Sequence, residues 1–68
     1  MKPISGKRMC RILERHGWIW VRTKGSHRAF QQPGHPTTLV VPVHGNKDLS
    51  AGTQHGIMKD AVLTEDDL

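Results

Sequence analysis

The chain has 68 residues, of which 35% are hydrophobic, and its ten Lys and Arg outnumber six Asp and Glu for a formal charge of +4. A chain of this length can bury only one small core, so we predict a single domain over residues 1–68. One cysteine excludes an internal disulfide, and the longest apolar run, residues 39–43, is too short to cross a membrane, which favours a reducing, cytoplasmic setting.

The first predicted element is a helix over residues 6–16. Ser5 is a favourable N-cap, Met9 and Leu13 follow at helical spacing, and Gly17 ends the helix. Three arginines on the other side of the helix form a stripe that is either a solvated face or a contact surface for a polyanion. These are Arg8, Arg11 and Arg15.

A hairpin is predicted to follow the helix. Residues 18–23 are aromatic and β-branched, which is typical of a strand, and residues 24–26 form a tight turn. Residues 27–32 return as a second strand, whose alternation places His27, Ala29 and Gln31 on one face. In the first strand, strict alternation places Trp18, Trp20 and Arg22 on one face and Ile19, Val21 and Thr23 on the other.

A third strand over residues 37–43 is predicted after a loop that contains two Pro and a Gly. Pro42 cannot donate a hydrogen bond to a central ladder, so we expect the strand to end there. Three successive strands joined by short connections favour an antiparallel meander, and the whole chain is then an α+β domain of order α-β-β-β-α.

The second helix is predicted to be capped by Asp48 or Ser50 and to run to about Ala61. Gly56 in its middle costs about 1 kcal/mol of stability relative to Ala. The acidic residues that follow have the pattern of a cap for a helix that does not continue, so we expect the tail at residues 64–67 to fray.

Positive charge is concentrated in residues 1–47, in which Glu14 is the only acidic residue. Such a surface attracts polyanions, and nucleic acid is the commonest of these in the cytoplasm. Aromatic side chains on a sheet can stack on unpaired bases. Because so small a domain cannot leave two Trp side chains outside, we expect Trp18 and Trp20 to fill the core instead.

Two runs of the sequence resemble a known family: residues 17–30, which contain Gly25-Ser26-His27, and residues 41–49, which begin Val41-Pro42-Val43-His44. With Gly52-Thr53 at the start of the second helix, nearly the whole chain resembles the HicA family of bacterial and archaeal toxins. The resemblance implies a fold like that of double-stranded-RNA-binding domains, with a three-stranded sheet and both helices on one face. It also implies a toxin that cleaves mRNA and is held inactive by a HicB-like antitoxin.

The same resemblance implies that His27, in the Gly-Ser-His motif, is the catalytic residue. RNA carries its own nucleophile, the 2′-hydroxyl, so cleavage needs an acid or base and positive charge near the phosphate. Histidine, with an unperturbed pKa of about 6.5, serves as either. Glycine in the motif allows close approach of the RNA backbone, and serine offers a hydroxyl or amide to phosphate oxygens. The RNA-binding candidates are therefore Arg22, Lys24, Gly25, Ser26 and Arg28.

His44 is a secondary candidate, either close to the site or an ordinary turn residue, and the remaining histidines are expected to be incidental. No metal or cofactor is expected, since the chain has no C-x-x-C pair and no two histidines share an i, i+4 spacing. The chain departs from the family pattern in the second helix, at Gln54, His55 and Gly56. Two alternatives remain: a non-catalytic double-stranded-RNA-binding module, and a protein that binds an acidic partner.

Overall fold

The computed structural model describes residues 1–68, and its element order α-β-β-β-α confirms the predicted architecture. The predicted element limits differ from the observed ones by no more than a few residues. Neither helix has the length and apolar content that a membrane span requires. The elements are α1 (Gly6–Arg15), β1 (Ile19–Lys24), β2 (His27–Gln31), β3 (Leu39–Pro42), α2 (Ala51–Ala61) and a terminal 3₁₀-helix (Glu65–Asp67).

The three strands form the predicted antiparallel meander, with β2 in the centre. Lys24 pairs with His27 across the β1–β2 hairpin, and His27 pairs with Pro42 of β3. Only Gly25 and Ser26 lie in the hairpin turn. Gly25 has a φ of 59°, the positive value needed at the first central position of a type II′ turn.

Alternation in β1 is interrupted by a β-bulge. Trp20 lies opposite Phe30 and Arg22 lies opposite Ala29, so Val21 is an extra residue without a partner in β2. The strict alternation predicted from the sequence holds for Val21, which shares a face with Ile19, and is wrong from Arg22 onward, because one unpaired residue shifts the period. Val21 and Arg22, although consecutive, both lie on the face of Ala29.

Both helices pack on one face of the sheet, as the resemblance implied. The buried core joins that face to the two helices through Phe30, Leu39, Val41, Met9, Ile12, Leu13, Ile57 and Met58. The other face has no helix on it, and its apolar residues Ile19, Val21 and Val40 are each about half exposed. We call it the open face. Its residues are Ile19, Val21, Arg22, Lys24, His27, Ala29, Gln31 and Val40.

Gln54 holds the N-terminal segment to α2. Its side chain is fully buried, its Oε1 accepts a hydrogen bond from the Ile4 N–H at 3.1 Å, and its Nε2 donates to the Lys2 carbonyl at 2.6 Å. An apolar residue of similar size would leave both backbone groups without these partners. Of the residues that depart from the family pattern, this one is therefore structural, whereas His55 and Gly56 are exposed.

The predicted fraying of the tail is wrong. Residues 65–67 form a 3₁₀-helix, because the Thr64 N–H and hydroxyl both donate to the Asp67 carboxylate, at 2.7 and 3.2 Å. Nε2 of His16 lies 3.4 Å from the same carboxylate. The hydrogen bond from the Thr64 backbone, with smaller contributions from its hydroxyl and from His16, lowers the pKa of Asp67.

The arginine stripe predicted on α1 is divided between two environments. Arg11 and Arg15 are exposed, as expected of a solvated or ligand-binding face. Arg8 is half-buried and donates a hydrogen bond to the Leu68 carbonyl at 2.6 Å. The tail therefore occupies one of the three positions, and only two remain available to a ligand.

Candidate functional site

His27 is the first residue of the central strand and lies on the open face, exposed to solvent. Its backbone is fixed on both sides by pairing with Lys24 and Pro42, and the two-residue turn lies immediately before it. The hydrogen bonds and ion pairs that engage histidine rings involve other histidines. The backbone of His27 is therefore fixed in the sheet, and its exposed imidazole is free to bind a ligand.

Two cations lie beside His27. The side chains of Arg22 and Lys24 line a shallow pocket of about 190 Å³ with His27, Ala29 and Val40, which we call the His27 pocket. The β-bulge brings Arg22 to this pocket, because regular alternation would have placed it on the helix face. No acidic residue lies on the open face, so the pocket attracts anions.

Arg28, the third predicted cation, lies on the opposite face. It follows His27 in the strand and points toward the helices, where its guanidinium carbon is 4.5 Å from the centre of the Trp20 ring. It also lies beside Cys10, whose pKa is raised by burial, an effect that the positive charge of Arg28 partly offsets. The structure thus brings Arg22 and Lys24 to His27, and it does not bring Arg28 there.

The two Trp side chains occupy different environments. Trp18 is 3% exposed and belongs to the core, as predicted, whereas Trp20 is 46% exposed. The prediction is wrong for Trp20 because β1 is an edge strand, and the ring lies at the border of the core with the Arg28 guanidinium over it. Its indole N–H donates to the Thr23 hydroxyl at 2.9 Å, and its ring stacks on Phe30 at 6.5 Å.

Ser26 and His44 meet at the turn next to His27. The Ser26 hydroxyl and Nε2 of His44 are 3.5 Å apart, and the Ser26 carbonyl accepts a hydrogen bond from the Val43 N–H at 2.7 Å. His44 lines a separate pocket with residues 47–50 and does not line the His27 pocket. His44 therefore contacts the turn that carries His27, and the structure does not pair the two imidazoles.

His35, expected to be incidental, has a structural role that the sequence did not indicate. Its ring packs against Trp18 in an edge-to-face arrangement with the ring centres 4.9 Å apart. Its ring Nδ1 accepts a hydrogen bond from the Thr37 backbone N–H at 3.3 Å, and the backbone N–H of His35 donates to the Gln32 carbonyl. The only sequence signal was its position in a Pro-Gly loop, which does not show which core residue the loop contacts.

The histidines are too dispersed to form a metal centre: nowhere do three or more His, Cys, Asp or Glu side chains come together in a way that could hold an ion. The chemistry available in the His27 pocket is therefore that of one imidazole with two neighbouring cations. This combination can move a proton and bind a phosphate.

A family model matches most of the chain. Residues 6–63 match the family model described as the HicA toxin of bacterial toxin-antitoxin. None of the curated proteins compared with the chain matches it. The matched range begins at α1 and ends just after α2, so it contains the whole sheet, both helices and the turn before His27. The chain therefore belongs to the HicA family of toxins from toxin–antitoxin systems.

Proposed function

We propose that this toxin is an endoribonuclease that cleaves mRNA, with the His27 imidazole as general acid or base. The observation that carries the proposal is the β-bulge, which places Arg22 beside Lys24 and His27 on a face without acidic residues. An exposed histidine between two cations has no evident structural task. It does have the groups that phosphodiester cleavage requires.

In the proposed reaction the RNA itself supplies the nucleophile. The 2′-hydroxyl loses its proton, its oxygen bonds to the adjacent phosphorus, and the bond from phosphorus to the 5′-oxygen breaks as that oxygen gains a proton. The products are a 2′,3′-cyclic phosphate and a 5′-hydroxyl. His27 carries out one of the two proton transfers, and no metal-activated water is needed because the nucleophile is internal to the RNA.

The residues around His27 would bind the phosphate. Arg22 and Lys24 neutralise its charge and stabilise the additional negative charge of the transition state. Open space surrounds Gly25, so an RNA backbone can approach the turn closely, and Ser26 presents a hydroxyl there. His44 contacts Ser26 and would position it. The partner that the family implies is an antitoxin, for which we propose a HicB-like protein.

Replacing His27 by Ala tests this proposal, with His55→Ala on the exposed face of α2 as the matched control. We expect His27→Ala to lower the rate of RNA cleavage about 10²–10⁴-fold, the usual contribution of a positioned acid or base, and to leave the thermal unfolding midpoint unchanged. Growth arrest on expression without antitoxin should disappear with it. Full cleavage by His27→Ala would refute the proposal, and wild-type protein that binds RNA without cleaving it would indicate a binding module instead.

A further inference from the structure

The open face contains a second pocket, at the end of the sheet opposite the His27 turn. It has a volume of about 360 Å³, and we call it the Gln31 pocket. Ile19, Val21 and Gln31 of the sheet line one side of it, and residues of the β2–β3 loop, from Gln32 to Thr38, line the other. Gln31 lies four positions after His27 in β2, which corresponds to about 13 Å at the usual rise of a strand.

The lining of this pocket differs chemically from that of the His27 pocket. It contains no Lys, Arg, Asp or Glu, and its sheet side presents two apolar side chains that are 53% and 43% exposed, those of Ile19 and Val21. A phosphate gains little in such a place. An unpaired nucleobase fits it, because a base has apolar faces to pack on aliphatic side chains and polar edges to hydrogen-bond.

The amide of Gln31 supplies the polar group. Its Nε2 donates one hydrogen bond to the Thr38 hydroxyl at 3.2 Å, which fixes the orientation of the amide. The second N–H and Oε1 remain available, and they form an adjacent donor and acceptor of the kind that recognises a base edge. The neighbouring Gln32 is engaged elsewhere, since its Nε2 donates to the His16 carbonyl at 2.8 Å.

The loop side of the pocket is held in place by contacts within the chain. His35 holds it in place through its edge-to-face contact with the buried Trp18 and through its two backbone hydrogen bonds, from Thr37 and to Gln32. A preformed pocket binds a ligand without an entropy cost for ordering the loop. The loop therefore presents a fixed surface for a base.

We propose that the Gln31 pocket binds an unpaired base of the RNA substrate and that Gln31 determines which base is accepted. The inference rests on the proposed ribonuclease function of His27. The cations bind the phosphate at the cleaved bond at one end of the open face. About 13 Å away, Gln31 selects the base of a nucleotide near that bond.

The test uses single-stranded RNA oligonucleotides with one cleavage site, in which the base at each nearby position is varied in turn or removed. For wild-type protein we expect kcat/KM to depend on the base at one of these positions. Gln31→Leu keeps the size of the side chain and removes its donor and acceptor, so it should reduce that preference about 10- to 100-fold. Gln31→Glu replaces the available donor by an acceptor, so it should change which base is preferred.

Binding of uncleavable 2′-O-methyl oligonucleotides, measured by fluorescence anisotropy, separates this inference from the proposed function. If wild type cleaves no RNA, the proposed function fails, and a base preference in binding that Gln31→Leu abolishes still supports the pocket. If Gln31→Leu leaves the base preference of both cleavage and binding unchanged, the inference is overturned. If Gln31→Leu weakens binding to the antitoxin and leaves RNA binding and cleavage unchanged, the inference is also overturned, and the pocket is assigned to a protein partner.

Discussion

The carbonyl oxygen of Pro42 lies in the space that a β-carbon on Gly6 would occupy, and Cα of Val43 would be 3.2 Å from that carbon. Gly6 is the first residue of α1, and Pro42 is the last residue of β3 and pairs with His27. The absence of a side chain at Gly6 therefore allows α1 to begin directly against the end of the sheet that carries His27.

We predict that Gly6→Ala destabilises the protein. The atoms that the new methyl group meets belong to the backbone of Pro42 and Val43, at the end of β3, which cannot move aside as a flexible side chain can, so α1 must shift away from the sheet. Overpacking of this kind costs about 1–3 kcal/mol in the free energy of unfolding, measurable by urea denaturation. An unchanged denaturation midpoint would show that the contact relaxes freely.

The same substitution at Gly56 is expected to have the opposite sign. Gly56 lies in the interior of α2, and a β-carbon there would meet nothing within 4 Å apart from its own stretch of helix backbone. Ala restricts the unfolded chain and favours the helix, so Gly56→Ala should add about 0.4–1 kcal/mol to the free energy of unfolding. Both variants belong in one denaturation experiment, and a loss of stability at Gly56 would contradict the open space seen around it.

Arg22 and Arg28 provide a paired test of the open face. Arg22→Gln should weaken RNA binding and reduce the slope of log K against log salt by about 0.7, the value for one phosphate contact to a single strand. Arg28→Gln should leave that slope unchanged, because Arg28 lies over Trp20 on the other face, and should cost about 0.5–1 kcal/mol of stability from the lost cation–π contact. Equal slopes for the two variants would place the RNA elsewhere.

Asp67 should make the stability of the tail dependent on pH. Its pKa is lowered in the folded state, chiefly by the hydrogen bond from the Thr64 backbone. A carboxyl group whose pKa is lowered on folding stabilises the folded state at pH values above its ordinary, unfolded-state pKa. This contribution is lost as the pH falls through the pKa of the folded state. Asp67→Asn should therefore be less stable than wild type at neutral pH and equal to it in strong acid. Thermal unfolding at each pH measures the difference. Asp66→Asn is the control, because the Asp66 carboxylate accepts no hydrogen bond from Thr64.

The helices, strands and the face of His27 could be predicted because each depends on neighbours in the sequence. Ser5 and Ser50 are both observed as N-caps, and His27, Ala29 and Gln31 share a face as expected. These features arise from caps, turns and alternation, which a short window of sequence contains.

Features that depend on distant partners could not be predicted. The position of Arg22 follows from the pairing of β1 with β2, since alternation assumes that every residue has a partner and Val21 has none. Gln54 is buried because its amide meets backbone groups of Lys2 and Ile4, which lie about fifty positions earlier in the chain. Neither partner is visible in the sequence around the residue concerned.

Because of the bulge in β1, the sheet can lose one residue, Val21, without losing a pair of hydrogen-bonded partners. Trp20 and Arg22 already face neighbouring residues of β2, Phe30 and Ala29, so removing Val21 would turn the bulge into regular pairing and leave Arg22 on the side where it now lies. In-frame deletion at this point should be tolerated, whereas deletion elsewhere in the strand would reverse the sides of the residues beyond it. When a related chain is one residue shorter in this strand, the gap in the alignment belongs at Val21.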